Sequence, residues 1–176
     1  MSEPLEDLYL ERRTVQESCF DEVSLTRVPI NITDIVNAAR SPSAGAVSSF
    51  FGTTRDNFEG KEVTHLEYEA YPEMALKCML DICNKAREKW DIVHIVLQHK
   101  LGACPISDVS IAIVVSSAHR KESLEAVHFL IDELKDKVPI WKKEFYGEGK
   151  AKWKDNKLDS GAKPSATATV TPPSDS

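Results

Sequence analysis

The sequence predicts a mixed domain of the α+β or α/β class, with two main helices packed on one sheet. Three observations carry this. The hydrophobic period switches several times between two and about 3.6 residues, two long segments keep the helical period, and the links between elements are short.

Asp21 to Pro29 reads as a strand, followed by a short helix over Ile32 to Arg40 with Asn31 or Thr33 as its cap. Ser41-Pro42-Ser43-Ala44-Gly45 is a turn. Ala46 to Thr54 is a strand, Gly60 breaks the chain, and Val63 to Tyr71 alternates as the next strand. Pro72 opens a helix whose apolar positions are Ala75, Met79, Ile82, Ala86 and Trp90. Ile92 to Leu101 and Val109 to Ser116 are strands, the second almost wholly apolar and therefore expected in the sheet interior. A second long helix carries Leu124, Val127, Leu130, Ile131, Leu134 and Val138 on one face. Pro139 ends it, and Ile140 to Tyr146 returns to extended structure.

A chain of 176 residues suits a single core, here spanning residues 18–158. Residues 1–17 are weakly committed to any element. Residues 159–176, rich in Ser, Thr, Pro and Ala, are expected to be disordered because they cannot bury enough surface. No stretch approaches the ~20 apolar residues of a membrane span, and the acidic start resembles neither a secretory signal nor a transit peptide, so the cytosol is the expected location. A net charge of -6 argues against a general nucleic-acid binder. Yet bases gather between His119 and Lys157, which suggests a local anionic ligand unless they form a solvated face. Cys19, Cys78, Cys83 and Cys104 form no C-x-x-C pair and no zinc-spaced cluster, so neither a metal nor a disulfide framework is expected. Cys78 and Cys83 read as core thiols, whereas Cys104 falls in a turn before Pro105 and is open to exposure. Phosphate-loop, dinucleotide and nucleophile-elbow motifs are absent from the sequence.

The chemistry concentrates around the second long helix. Ser116-Ser117-Ala118-His119-Arg120-Lys121 joins an apolar strand to its N-terminus, where free N–H groups and the positive dipole end favour anions. Bases there break the usual charge rule, and Arg120 falls angularly on the apolar stripe. His119 and Arg120 are therefore candidates for a phosphate or carboxylate site, against the plainer reading that Arg120 pairs with a buried acid. Lys135 sits near the other end, at the border of the buried face, where a snorkelling lysine is the bland alternative. In Pro139-Ile140-Trp141-Lys142-Lys143-Glu144-Phe145, alternation places Lys142 and Glu144 on one side and Trp141, Lys143 and Phe145 on the other. Lysine among large apolar groups can lose hydration and become a proton shuttle, or the lysines simply guard an edge strand. Arg55, at a strand end after Gly52, can reach an anion. His65, His94, His99 and His128 stand singly and read as structural.

Phe50-Phe51-Gly52-Thr53-Thr54-Arg55, Leu66 to Met74, His99-Lys100-Leu101-Gly102, Ser116 to Arg120, and Lys135 with Val138 to Glu144 together resemble the molybdopterin synthase catalytic (large) subunit family. The similarity covers about residues 20 to 157. It implies an α/β-hammerhead fold: a mixed, largely antiparallel sheet packed by two main helices, with a small extra β subdomain. It also implies a sulfurtransferase of molybdenum cofactor biosynthesis that converts cyclic pyranopterin monophosphate to molybdopterin. The sulfur would come from a thiocarboxylate on the C-terminal Gly-Gly of a small ubiquitin-like subunit. Two large subunits would form a central homodimer in a heterotetramer, and no cofactor or metal would be needed. The family's functional positions fall on His119, Arg120, Lys135, Lys142, Lys143 and Glu144, with Arg55 nearby and Lys135 and Lys142 as the catalytic pair. Cys104-Pro105-Ile106-Ser107-Asp108 departs from many bacterial members, and the tail after Lys157 has no counterpart. The sequence leaves two alternatives, a non-catalytic adaptor for a ubiquitin-like tail and a persulfide sulfurtransferase using Cys104.

Overall fold

In the computed structural model, which describes residues 8–16, 18–147, 149 and 151–155, the chain forms two sheets and three helices. The order is β1 (Leu8–Gln16), β2 (Cys19–Thr26), α1 (Ile32–Ala38), β3 (Ala46–Thr53), β4 (Asn57–Phe58), β5 (Lys61–Ala70), α2 (Pro72–Arg87), β6 (His94–Lys100), β7 (Gly102–Pro105), β8 (Val109–Ser117), α3 (Arg120–Lys137), β9 (Ile140–Tyr146) and β10 (Ala151–Asp155). The larger sheet runs β1-β2-β6-β8-β3, antiparallel except for the parallel β2–β6 pair. The smaller sheet runs β10-β9-β5-β4, with β7 also paired to β5, and is antiparallel throughout. This is the expected α+β arrangement, with the smaller sheet as the extra β portion.

The apolar run of β8 follows from burial on both faces. Ile111, Ile113 and Val115 join Ile95 and Leu97 of β6 beneath α2 and α3, while Ala112 and Val114 join Val96 beneath Ile35 and Ala39 at α1. Burying one such Ile or Val side chain contributes roughly 1.5–3 kcal/mol. Asn31 caps α1, accepting from the Thr33 and Asp34 N–H groups at 3.1 and 3.4 Å. Pro72 occupies the first turn of α2, where its missing N–H costs nothing. Glu59 and Gly60, both at positive φ (50° and 76°), close the two-residue β4–β5 turn.

Several expectations change. Leu8–Gln16, within the segment left uncommitted, pairs along β2 as the edge strand β1. Its faces are mostly exposed, so it lacks the alternation that marks a strand. Leu124 is 58 % exposed at the border of the α3 stripe, because Ser123, Ala126 and Val127 take the sheet-facing positions of those turns, with Ser123 Oγ 2.8 Å from Ser48 Oγ of β3. Cys104 is fully buried in β7 rather than exposed in a turn. Strand β9 is interior, between β5 and β10, so its lysines do not guard an edge. Residues 1–7 and 159–176 lie outside the described residues.

Candidate active site

Where α3 ends, Pro139 turns the chain straight into β9, and the two elements wall a cavity of about 210 Å³ between the sheets. Lys135 projects from the last turns of α3 beside Ile131 and Leu134. Strand alternation aims Lys142 and Glu144 of β9 inward, opposite Tyr68 and Leu66 of β5. The end of β3 supplies Phe50, Gly52 and, just beyond it, Arg55. Gly52 is required where it stands: a Cβ would lie 2.7 Å from the Ile111 side chain. Three cations spread over some ninety residues of sequence, Arg55, Lys135 and Lys142, thus share one cavity.

One acid balances them. Glu144 is only 2 % exposed, with its Oε1 3.3 Å from Lys142 Nζ, and its Oε2 accepts from the Tyr146 hydroxyl at 2.5 Å. That hydrogen bond raises the Tyr146 hydroxyl to about 12, with burial and the Glu144 charge adding to it. Lys142, Glu144 and Tyr146 therefore form a line along one face of β9. Burial, with smaller contributions from Cys104 and Glu144, likewise pushes Tyr68 up to about 12, against a hydrogen bond to Ser110. His99 at the cavity floor is lowered to about 4 by burial.

The other expected site residues lie elsewhere. His119 is the N-cap residue of α3 and Arg120 its first residue, both exposed, and no side chain caps that helix end. Fifteen residues of helix separate Arg120 from Lys135, about 22 Å at 1.5 Å per residue. Within one chain Arg120 and His119 therefore do not cluster with Lys135 and Lys142, which corrects the expectation of a single group. Arg120 does lie angularly above the buried stripe, but the stripe begins after it, at Ser123. Lys143 points away from the cavity, its Nζ 5.4 Å from the Phe145 ring and 5.0 Å from the Trp153 ring.

Cys104 offers no exposed thiol. Its Sγ takes a hydrogen bond from Thr54 Oγ1 at 3.4 Å, and burial raises its pKa. That removes the persulfide reading, which needs an accessible thiolate. His99, Tyr68 and Ser110 line the cavity and were not singled out by sequence, where His99 reads as structural. A signal existed: His99 shares the strand face of Ile95 and Leu97, so it is a polar group on a core face.

The family described as MoaE protein matches residues 25–137. The molybdopterin synthase catalytic subunit 1 of Aedes aegypti is 54% identical over 144 residues, covering 80% of this chain and 93% of that protein. Among solved structures, molybdopterin synthase from Staphylococcus aureus superposes with a TM-score of 0.70 at 36% identity, over 74% of this chain and 94% of that one. A chain of the Helicobacter pylori complex of subunits 1 and 2 of molybdopterin-converting factor shares the fold, with a TM-score of 0.62 at 22% identity over 73% and 87%.

Proposed function

The chain belongs to the MoaE protein family, and from that premise we propose that it is the catalytic subunit of a molybdopterin synthase, an enzyme of molybdenum cofactor biosynthesis. The observation that carries this beyond the family match is the convergence of Arg55, Lys135 and Lys142 on one cavity. In this reading the substrate is cyclic pyranopterin monophosphate and the sulfur donor is the thiocarboxylate at the C-terminus of a small ubiquitin-like subunit. Both reactants are anions, and a cavity with three cations and one largely compensated acid favours them. Sulfur transfer builds negative charge, either on a tetrahedral centre at the glycine carbonyl or on an adduct of the pterin. A fixed ammonium beside that centre stabilises the charge without reorganising solvent. Lys135, on a packed helix, takes this role at the thiocarboxylate. Lys142, oriented by Glu144, and Arg55 hold the pterin side.

The small-subunit partner is supported by the fold shared with a chain of the Helicobacter pylori two-subunit complex, and by the relatives named as catalytic subunits. A homodimer at the centre of a heterotetramer reconciles the remaining residues. His119 and Arg120 stand about 22 Å from Lys135 in their own chain, too far to hold one small substrate with it. The cavity of about 210 Å³ is below the ~300–1,000 Å³ usual for ligand sites. A second copy that brings its His119–Arg120 end to this cavity completes the pocket with a phosphate-binding helix N-terminus.

The deciding experiment incubates the chain with thiocarboxylated small subunit and the cyclic pterin, then detects molybdopterin. Dithiolene product that depends on both reactants is expected. Binding of the small subunit without product would leave the adaptor reading instead.

A further inference from the structure

We propose that His99 reads the bound reactant, its Nε2 accepting a hydrogen bond from an N–H group that enters the cavity floor. The proposal rests on the sulfur-transfer reading above and adds a specificity-determining residue to it. His99 is 1 % exposed and lines the cavity. Its Nδ1 lies 2.8 Å from the Lys100 carbonyl oxygen. A carbonyl only accepts, so Nδ1 carries the hydrogen, and in a neutral ring Nε2 is then the bare acceptor. Burial keeps the ring neutral. The Tyr68 ring meets the imidazole edge-on at 4.8 Å between centroids and fixes its plane. Nε2 itself makes no hydrogen bond with any described residue.

That free acceptor is out of character with its surroundings. Arg55, Lys135 and Lys142 can only donate. Ser110 donates to the Gly52 carbonyl oxygen at 3.2 Å and is hydrogen bonded to Tyr68. Glu144 already serves Lys142 and Tyr146. The cations attract any anion of suitable size, so charge alone selects poorly among phosphates and carboxylates. An acceptor open only to the cavity discriminates differently. A reactant that offers it an N–H satisfies it, while one presenting a carbonyl or an apolar edge leaves it desolvated and unpaired, a sharper penalty than a lost contact. Two reactants carry such a group, the pterin through its ring and amino N–H and the carrier tail through its glycine amide.

The test uses the full chain labelled with ¹⁵N-histidine, with His99→Phe assigning the His99 signals. Cyclic pyranopterin monophosphate and the small subunit in its ordinary carboxylate form are added in separate arms, and calorimetry measures binding in each. The unprotonated Nε2 resonance should move upfield in one arm, and that arm names the reactant read. His99→Phe, which keeps a ring against Tyr68 but no acceptor, should bind that reactant roughly tenfold more weakly or worse. Binding in either arm with Nε2 unmoved in both would overturn the proposal, and so would unchanged affinity in a folded His99→Phe. Calorimetry silent in both arms would instead overturn the functional reading, and this inference with it.

Discussion

Lys142 Nζ and Glu144 Oε1 stand 3.3 Å apart on the same face of β9, and the Tyr146 hydroxyl holds the other oxygen of that carboxylate. The strand's two-residue period creates this line, since alternate side chains share a face. Glu144 thereby fixes where the Lys142 ammonium sits. Glu144→Gln keeps the shape and removes the charge. It should raise KM for the pterin about tenfold or more by freeing Lys142, and the Tyr146 titration should move down from about 12. Tyrosinate absorbance and steady-state kinetics check both. An unmoved Tyr146 would show that the carboxylate does not hold it.

Lys135→Ala should lower turnover by roughly a hundredfold or more while leaving thermal stability and small-subunit binding nearly intact, because a half-buried lysine at a helix end adds little to the core. Lys142→Ala should weaken pterin binding more visibly than it lowers turnover. Near-normal turnover of Lys135→Ala with pre-formed thiocarboxylate would return that lysine to a plain, dipole-complementing role.

Arg120→Ala and Lys135→Ala should each be inactive alone and recover activity when mixed and allowed to exchange subunits. If half the dimers are mixed and each has one whole site of two, recovery is about a quarter of wild type. No recovery, despite mixed dimers seen by mass spectrometry, would place Arg120 outside the partner's cavity.

Asp21 is fully buried between Arg13 and Arg87, and Arg87 Nε meets its Oδ1 at 2.8 Å while also donating to the Ile92, Phe20 and Val93 carbonyl oxygens. Arg87→Ala removes one partner of a buried charge and should cost about 3–5 kcal/mol in urea unfolding. Its kcat should be unchanged where the variant is folded, since Arg87 does not line the cavity. A loss below 1 kcal/mol would mean that Arg13 alone compensates Asp21.

His99 titrates near 6.5 when unfolded and at about 4 when folded. Between these values the unfolded chain binds more protons, so stability present above pH 6.5 is lost as pH falls through about 4. The shift corresponds to something on the order of 3 kcal/mol. His94 is lowered in the same sense, also mainly by burial, so the comparison that isolates His99 is wild type against His99→Phe. The variant should lose less stability between pH 6.5 and 4 in denaturant titrations. Equal losses would show that His99 is not the group titrating.

Legibility in the sequence tracked locality. The α2 pattern of Ala75, Met79, Ile82 and Ala86 is buried as its spacing predicts, and the solid apolar run of β8 announces a strand covered on both faces. Alternation alone separated Lys142 and Glu144 from Lys143. Strand β1 carries no such signal, because its pairing with β2 is set by backbone hydrogen bonds at a sheet edge, which leave little hydrophobic pattern. Leu124 stands about 100° around the helix from buried Ser123, at the border of the stripe, and a helical period does not show on which side of that border the sheet ends.

By itself, then, the sequence determined the three helices and the strands β2, β3, β5, β6, β8 and β9, where Asn31, Pro72 and Pro139 start or stop elements, and which basic residues stand at element ends. Those are properties of neighbours in the chain, set by backbone sterics and side-chain spacing. Only the tertiary structure decided that Arg55, Lys135 and Lys142 share a cavity while His119 and Arg120 stand a helix length away, that Cys104 is sealed in β7, and that His99 lines the cavity floor. The physical reason is that distance along the chain is not distance in space. Strand pairing brings Tyr68 opposite Lys142 across more than seventy residues, whereas a rigid helix holds Arg120 and Lys135 apart across only fifteen.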